Sequence, residues 1–211
     1  MAKILTFTQQ KGGAGKTSLA IHLASYWASK GKSVALVDGD PQGSLMAWSS
    51  MRAGDDGASS LTVEQAEGWK AATVVGNLAR SHDYVLIDTA PHAETASRTA
   101  AREADLVVVP MQPSPLDLWA TDGSMEMITA EKKPSVLVLN RVPPRSKLAD
   151  EVTAAAKKKG LSVAKSRLGN RQAFAASFMA GKGIMEASPR SKAGEEITAL
   201  AQELGRKLSK L

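Results

Sequence analysis

The sequence contains no cysteine, and aromatic side chains make up 4% of its 211 residues. Without thiols the chain can form no disulfide framework, no thiolate metal site and no cysteine-bound iron–sulfur cluster. The three histidines, His22, His82 and His92, occur singly, so each is interpreted as a surface or packing residue. No apolar stretch reaches the roughly 18 residues of a spanning helix, and no secretory signal pattern opens the chain. We therefore expect a cytoplasmic protein.

Charge is distributed unevenly along a chain whose formal net charge is +6. Residues 1–100 hold nine basic and nine acidic side chains, whereas residues 130–192 hold fourteen basic and four acidic ones. A local excess of this size is typical of a solvated lysine-rich surface and equally of a face that binds a polyanion. Both interpretations stay open, and they place any polyanion site in the C-terminal third.

The apolar pattern predicts an α/β fold. Each of five short runs is apolar at consecutive positions, which is typical of strands buried on both faces of a parallel sheet. These runs are Ile4–Phe7, Val34–Val37, Val85–Ile87, Leu106–Val109 and Val136–Leu139. Helical patterns lie between and after them, at Thr17–Lys30, Glu94–Glu103, Leu116–Ala130, Leu148–Lys159, Gln172–Ala180 and Ala193–Leu208.

This alternation predicts a single domain over residues 1–211, a doubly wound and mostly parallel sheet with helices on both faces. In such a sheet a ligand binds at the carboxyl ends of the strands. Leu19, Leu23 and Trp27 form an apolar stripe on the first predicted helix, and Gly31 is suited to end it. Asp55–Ser60 is the segment with the strongest loop character.

A glycine-rich segment between the first strand and the first helix predicts a nucleotide-phosphate loop. Its glycines allow consecutive backbone N–H groups to point inward, Lys16 supplies a charge for the outer phosphates, and the Thr17 hydroxyl can hold Mg²⁺. The candidate nucleotide-binding residues here are Gly12, Gly13, Ala14, Gly15, Lys16, Thr17 and Ser18. The match to G-x-x-x-x-G-K-[ST] is imperfect, because Gln10 replaces the first glycine and an additional lysine, Lys11, precedes the glycine pair.

Acidic residues follow two of the predicted strands. Asp38 and Asp40 come after Val34–Val37, and Asp88 comes after Val85–Ile87. In a parallel sheet these carboxylates share an edge with the phosphate loop, so they can converge on bound Mg²⁺ and on an attacking water. An aspartate at the end of a strand, taken as an isolated feature, is more often a cap or turn residue. The phosphate loop on the same edge favours the functional interpretation.

Three motifs together resemble the ParA/MinD family of dimerising ATPases, whose phosphate loop deviates from the usual pattern. They are Lys11-Gly12-Gly13-Ala14-Gly15-Lys16-Thr17, Val37-Asp38-Gly39-Asp40-Pro41-Gln42-Gly43 and Leu86-Ile87-Asp88-Thr89-Ala90-Pro91. Weaker similarity, in Val109–Asp117 and Asn140-Arg141, extends the resemblance over nearly the whole chain. The likeness is greatest to the small partition type (ParA/ParF-like), and it implies a P-loop NTPase fold of the SIMIBI class.

The resemblance implies three catalytic residues. Lys11 would reach the phosphates of the opposing subunit in an ATP-sandwiched homodimer, and Lys16 would contact those of its own subunit. Asp40 would position the hydrolytic water. A cation delivered across an interface acts only when two loaded chains face each other, much as an arginine finger does, so ATP would control association.

The resemblance also implies a set of cofactor contacts. Thr17 would ligate Mg²⁺, Asp88 would hold the ion through water, and Asp38 would support that network as the third metal-site candidate. Asn140 lies where family members recognise adenine, with Arg141 beside it. The proline-containing loop at residues 110–115 lies where the family closes around nucleotide and partner. No other protein-bound metal is expected.

Partition-type members of the family bind DNA without sequence preference as ATP dimers, and the basic C-terminal third is consistent with that activity. Arg171 is the first candidate for a phosphate contact, because Leu168–Phe174 resembles the segment in which the family places such an arginine. Phe174 and Phe178 are interpreted as packing residues. The candidates are Lys165, Arg167, Arg171, Lys182, Arg190 and Lys192, with the run Lys157–Lys159.

By the same resemblance, hydrolysis would be weak alone and stimulated by DNA together with an adaptor protein, either ParB-like or specific to the cargo. The protein would be nucleoid-associated, and its cargo a plasmid, a chromosome or a large protein assembly. Because the phosphate loop starts within the first twelve residues, we expect neither a helix-turn-helix before it nor site-specific operator binding.

Two alternatives belong to other functional classes. A MinD-like membrane-associated positioning ATPase would use a basic amphipathic C-terminal helix, and an apolar stripe is present at Ile197, Leu200, Ala201, Leu204, Leu208 and Leu211. The balanced charge of that segment favours a helix docked on the core, so no membrane contact is expected. A P-loop small-molecule kinase or synthetase would usually keep the ordinary loop and need a second substrate pocket, for which the sequence offers no acidic, aromatic or histidine constellation.

Overall fold

The computed structural model describes residues 2–52, 61–66, 68 and 70–211, so the predicted loop Asp55–Ser60 lies outside the described residues. These residues form a six-stranded sheet with the order β3-β2-β4-β1-β5-β6, and every pairing in it is parallel. The strands are β1 (Lys3–Phe7), β2 (Val34–Gly39), β3 (Thr62–Gln65), β4 (Tyr84–Thr89), β5 (Leu106–Met111) and β6 (Ser135–Leu139). The predicted doubly wound parallel sheet is confirmed.

The helices of the described residues cover the sheet. They are α1 (Lys16–Ser29), α2 (Ser44–Arg52), α3 (Lys70–Leu78), α4 (Glu94–Glu103), α5 (Pro115–Ala130), α6 (Lys147–Lys158), α7 (Gln172–Met179), α8 (Ile184–Ala187) and α9 (Lys192–Leu208). All five predicted strands and all six predicted helices are present. Sequence patterns missed β3, α2, α3 and α8.

The strand order brings the predicted site together. In the sheet β4 lies between β2 and β1, and in the register Asp38 of β2 pairs with Asp88 of β4, which itself pairs with Phe7 at the end of β1. The phosphate loop begins directly after β1. Because all three strands run in the same direction, both carboxylates and the loop lie at the carboxyl edge of the sheet.

Helix α1, which follows the phosphate loop, is buried on more sides than its predicted stripe implied. Besides Leu19 and Leu23, the intervening residues Ala20 and Ile21 are also fully buried. The physical reason is that α1 packs against α8 and α9 as well as against the sheet. The helix ends as predicted before Gly31, which has a positive φ of 73°.

The C-terminal helix α9 is docked on the core, as predicted. Its stripe of Ile197, Leu200, Ala201, Leu204 and Leu208 is buried in the same cluster as α1. The prediction was wrong for Leu211, which lies beyond the end of the helix with 68% of its surface exposed. Among the described helices, none combines the length and apolarity that crossing a bilayer requires.

His22 of α1 is a packing residue, as predicted. Its Nδ1 accepts a hydrogen bond from the Ile184 N–H at 3.2 Å, and its ring lies 4.9 Å from that of Phe174. Burial lowers the pKa of His22 to about 3, against an opposing effect of Glu186. His82 is partly buried, with ring nitrogens near Leu78 and Thr62, and His92 is exposed.

The depressed pKa of His22 predicts a loss of stability in acid. His22 takes up a proton near pH 6.5 in the unfolded chain and near pH 3 in the folded one. The free energy of unfolding is therefore unaffected by His22 above pH 6.5, and it declines as the pH falls from 6.5 towards 3. At pH 5 the expected loss in the free energy of unfolding is about 2 kcal/mol. Urea unfolding at pH 7.5 and pH 5 measures it. In His22→Asn, which keeps an acceptor but no titrating group, acidification should cost correspondingly less; equal losses in both proteins would contradict this origin.

Candidate nucleotide site

The loop between β1 and α1 has the shape of an anion cradle. Gly13 and Gly15 adopt positive φ values of 76° and 94°, which side chains other than glycine rarely tolerate. The backbone N–H groups of Gly12, Gly13 and Gly15 have no hydrogen-bond acceptor among the described residues. Because α1 starts at Lys16, these amides lie at a helix N-terminus, where the helix dipole also favours a negative charge.

Lys16 is a buried cation at the centre of this cradle. The residue is 7% exposed, and its Nζ donates to the Gln9 carbonyl at 3.1 Å. Burial lowers its pKa, whereas Asp88 and Asp40 act in the opposite direction. Among the described residues no carboxylate contacts the ammonium directly. Since a buried charge is costly without a counter-charge, the position suits a lysine that completes its environment with a phosphate.

Thr17 and Asp88, both predicted to lie at the magnesium site, are in direct contact. The Thr17 hydroxyl donates to Asp88 Oδ2 at 2.5 Å, while Asp88 Oδ1 is buried with no hydrogen-bond partner in the described part of the chain. Burial raises the pKa of Asp88 to about 7, although Thr17 and Lys16 lower it. An orphaned buried carboxylate oxygen beside a hydroxyl is the donor set that Mg²⁺ takes, directly or through water, when phosphates supply the remaining ligands.

Protein side chains alone do not build a metal site here. Within residues 2–52, 61–66, 68 and 70–211, no group of three or more histidine, aspartate or glutamate side chains could hold an ion. This agrees with Mg²⁺ chemistry, because that ion is usually bound by one or two carboxylates together with substrate phosphates. Thr17 and Asp88 therefore fit the predicted magnesium role, which stays a prediction.

Asp38 organises the neighbouring loop. It is fully buried; Oδ1 accepts from the Asp40 N–H at 3.1 Å and Oδ2 from the Met46 N–H at 3.0 Å. With both oxygens engaged, Asp38 suits the supporting role better than that of a direct metal ligand. Asp40 is half-buried, accepts from the Gln42 N–H at 2.9 Å, and is close enough to affect the pKa values of Lys16 and Asp88.

The predicted base-binding residue Asn140 lies against the phosphate loop. Its Nδ2 donates to the Ala14 carbonyl at 2.9 Å, and its Oδ1 accepts from the Arg141 N–H at 2.9 Å. A cavity of about 650 Å³ lies beside it, lined among others by Gly15, Ser18 and His22 and by residues of α7. Its volume falls within the usual range of ligand pockets. Ser18, Asn140 and Arg141 therefore lie together, while their contacts with a base stay predictions.

Lys11 does not point into open solvent. Its ammonium forms an ion pair with Asp117, the third residue of α5. Asp117 Oδ2 in turn accepts from the Gln112 N–H at 3.0 Å, and its own N–H donates to Ser114 at 3.0 Å. The proline-containing loop at residues 110–115 is thereby attached to the phosphate loop. Sequence reasoning missed this contact, because an aspartate three residues after a serine at the start of a helix is also an ordinary capping pattern.

Gln10, the residue that replaces the first glycine of the common motif, packs against α5. The backbone N–H of Gln10 donates to the Ser124 hydroxyl at 3.3 Å. A Cβ added at Gly123 would lie 2.8 Å from the Gln10 side-chain oxygen, so any residue but glycine would force the Gln10 side chain to move. This close approach explains the glycine inside α5. The two unusual residues of the loop, Gln10 and Lys11, therefore both contact the same helix.

The candidate DNA-binding residues do not form a single cluster. Lys165, Arg167 and Lys192 line two adjoining depressions beside α9, which share Ser166 and Ala199. Lys182 lies between α7 and α8, and Arg190 is exposed just before α9. The run at residues 157–159 ends α6, where Lys159 pairs with Asp122 at 2.8 Å.

Several of these cations are engaged by carboxylates of the same chain. Arg171, the first candidate, pairs with Glu196 through two hydrogen bonds of 2.6 and 2.9 Å, and it also lines the cavity beside Asn140. Arg167 pairs with Asp150 and Lys192 with Glu195, each at 2.7 Å. A phosphate would have to compete with these carboxylates.

The structure adds basic residues that sequence reasoning did not single out. Arg206 and Lys207, in the last turn of α9, and Lys210, just after it, line the same depression as Lys165. Their spacing along a helix was the available signal, because residues three and four apart share a face. Lys3, at the start of β1, donates to Ser209, so this end of α9 lies at the edge of the sheet opposite the phosphate loop.

Comparison with known proteins agrees with this geometry. Residues 5–184 match the CobQ/CobB/MinD/ParA nucleotide binding domain. The chain is 28% identical over 188 residues to maintenance of carboxysome distribution protein A of Halothiobacillus neapolitanus, covering 86% of each protein. It is 32% identical over 145 residues to the chromosome-partitioning ATPase Soj of Thermus thermophilus, covering 56% of this chain and 57% of Soj.

A solved structure shows the same fold. The MinD cell division protein of Aquifex aeolicus superposes with a TM-score of 0.80 at 19% identity, over 96% of this chain and 97% of that protein. With the phosphate loop and both acidic strand ends in one site, and with the family match spanning most of the sequence, the chain belongs to the CobQ/CobB/MinD/ParA family of nucleotide-binding proteins.

Proposed function

We propose that this chain is an ATPase that dimerises when it binds ATP and Mg²⁺, binds DNA without sequence preference as a dimer, and positions or segregates a cargo on the nucleoid. The observation that carries the proposal is Lys11, an additional cation at the mouth of the phosphate loop with 44% of its side chain exposed. The proposal is further supported by homology to proteins named for carboxysome distribution and chromosome partitioning.

The residues at the carboxyl edge of the sheet suit ATP hydrolysis. The free amides of the loop and the Lys16 ammonium would hold the phosphates, while Asp40, beside them and half-buried, would orient the attacking water. Thr17 and Asp88 would hold Mg²⁺, which supplies charge for the phosphate oxygens. Hydrolysis is expected to be slow alone and to be stimulated by an adaptor protein with DNA.

Dimerisation gives ATP control over DNA binding. A lysine that acts on a partner's nucleotide favours association only while the triphosphate is present. Two copies double the number of phosphate contacts, and DNA affinity rises steeply with that number. Of the two depressions beside α9, the one lined by Lys165, Arg206 and Lys210 is the best surface for those contacts. These three cations have no acidic partner among the described residues. The docked α9 gives no support to the membrane alternative.

Replacement of Lys11 should uncouple DNA binding from nucleotide. We expect wild-type protein with ATP to bind a DNA fragment of arbitrary sequence at least about tenfold more tightly than with ADP, because two chains share the contacts. In Lys11→Ala this difference should disappear while ATP binding persists. Fluorescence anisotropy with labelled DNA measures it, and Lys30→Ala, an exposed lysine outside the site, is the control. Wild-type DNA binding that is equal with ATP and ADP would contradict the proposal. So would ATP-dependent DNA binding that is unchanged in Lys11→Ala.

Neutralisation of the depression beside α9 should weaken DNA binding and flatten its salt dependence. Each phosphate contact that the substitutions remove should lower the slope of log K against log salt concentration by about 0.9. The variant is Lys165→Gln with Lys210→Gln, and Lys30→Gln with Lys32→Gln removes the same charge elsewhere. ATP-dependent dimerisation, followed by sedimentation, should be unchanged in both. If the two double variants lowered the slope equally, DNA would respond to net charge and not to this depression.

A further inference from the structure

Lys11 is held by a carboxylate of its own chain. The Asp117 side chain that pairs with it is 3% exposed, whereas the Lys11 side chain is 44% exposed. The pair therefore joins a partly solvated cation to a buried anion. No other acidic side chain in the described part of the chain contacts the Lys11 ammonium.

Asp117 is fixed in place independently of Lys11. One carboxylate oxygen accepts from the Gln112 N–H, and the backbone N–H of Asp117 donates to Ser114, the N-cap of α5. The carboxylate also lies in the first turn of a 16-residue helix, where the dipole favours a negative charge. If the pair separates, Lys11 is the member that moves, and Asp117 keeps some of its stabilisation.

From this geometry we infer that Asp117 is the resting counter-ion of Lys11, a positioning residue that retains the lysine within its own subunit until a second ATP-loaded copy competes for it. The inference rests on the proposed ATP-dependent dimer. One ammonium cannot be paired with Asp117 and reach across an interface to a phosphate at the same time. Dimerisation must therefore break the ion pair.

Symmetry doubles the effect. A dimer in which each Lys11 acts on the partner breaks two Lys11–Asp117 pairs, so their costs add in the free energy of association. An ion pair with one partly exposed member is worth roughly a threefold change in an equilibrium constant, and two such pairs multiply to about tenfold. Asp117 thereby raises the amount of ATP-loaded protein needed before dimers form.

The test is Asp117→Asn, which keeps an oxygen to accept from the Gln112 N–H but removes the charge. We expect its dimer dissociation constant, measured by sedimentation equilibrium with Mg²⁺ and a slowly hydrolysed ATP analogue, to be about tenfold lower than that of the wild type. In a Lys11→Ala background the same substitution should have no effect on dimerisation, because Asp117 acts through Lys11. Ser114→Ala is the matched control: it removes the cap hydrogen bond to Asp117 but leaves the ion pair, so it should not tighten the dimer.

Each result has one meaning. A dissociation constant that is unchanged or higher in Asp117→Asn would overturn the inference, as would tightening that persists without Lys11. Tightening in Ser114→Ala would assign the effect to the start of α5 and would also overturn it. If the wild type forms no dimer at any analogue concentration while it still binds the analogue, the proposed function itself fails, a result distinct from a dimer that ignores Asp117.

Discussion

The parallel pairing of β1 with β4 is the constraint on which the nucleotide site depends. Phe7, at the end of β1, is level with Asp88, and the Thr89 hydroxyl donates to the Phe7 carbonyl at 2.9 Å. This register fixes where the phosphate loop leaves the sheet relative to the β4 carboxylate. Thr17, two residues into α1, then reaches Asp88. A shift of one residue between these strands would turn Asp88 to the other face of the sheet and separate the pair.

Cations suited to phosphates are repeatedly paired with carboxylates of the same chain. Lys11 pairs with Asp117, Arg171 with Glu196 and Arg167 with Asp150. At these paired residues a phosphate must replace a carboxylate of the same chain, which weakens their attraction for polyanions. It also makes binding more dependent on several contacts forming together, which suits the proposed dependence of DNA affinity on dimerisation.

Local patterns predicted much of the fold and the contents of the site. Consecutive apolar residues identified the five strands buried on both faces, and Gly31 marked the end of α1. The edge strand β3 was missed because half of its four residues are exposed, so it lacks the apolar run of a central strand. The motifs named Thr17 and Asp88, which the structure places in contact. The Lys11–Asp117 pair joins residues 106 positions apart, and no local pattern carries such information.

The burial of α1 has a consequence for how the protein responds to its ligand. Helix α1 packs against the sheet and against α8 and α9, and ten of its fourteen residues are buried, so it forms one packed frame with these elements. We therefore expect conformational changes on nucleotide binding in the segments that surround this frame. They are the turn after β2, the start of α5, and α7, which lines the cavity. In amide hydrogen exchange, α1 would be the slow reference against which the changing protection of those three segments is measured.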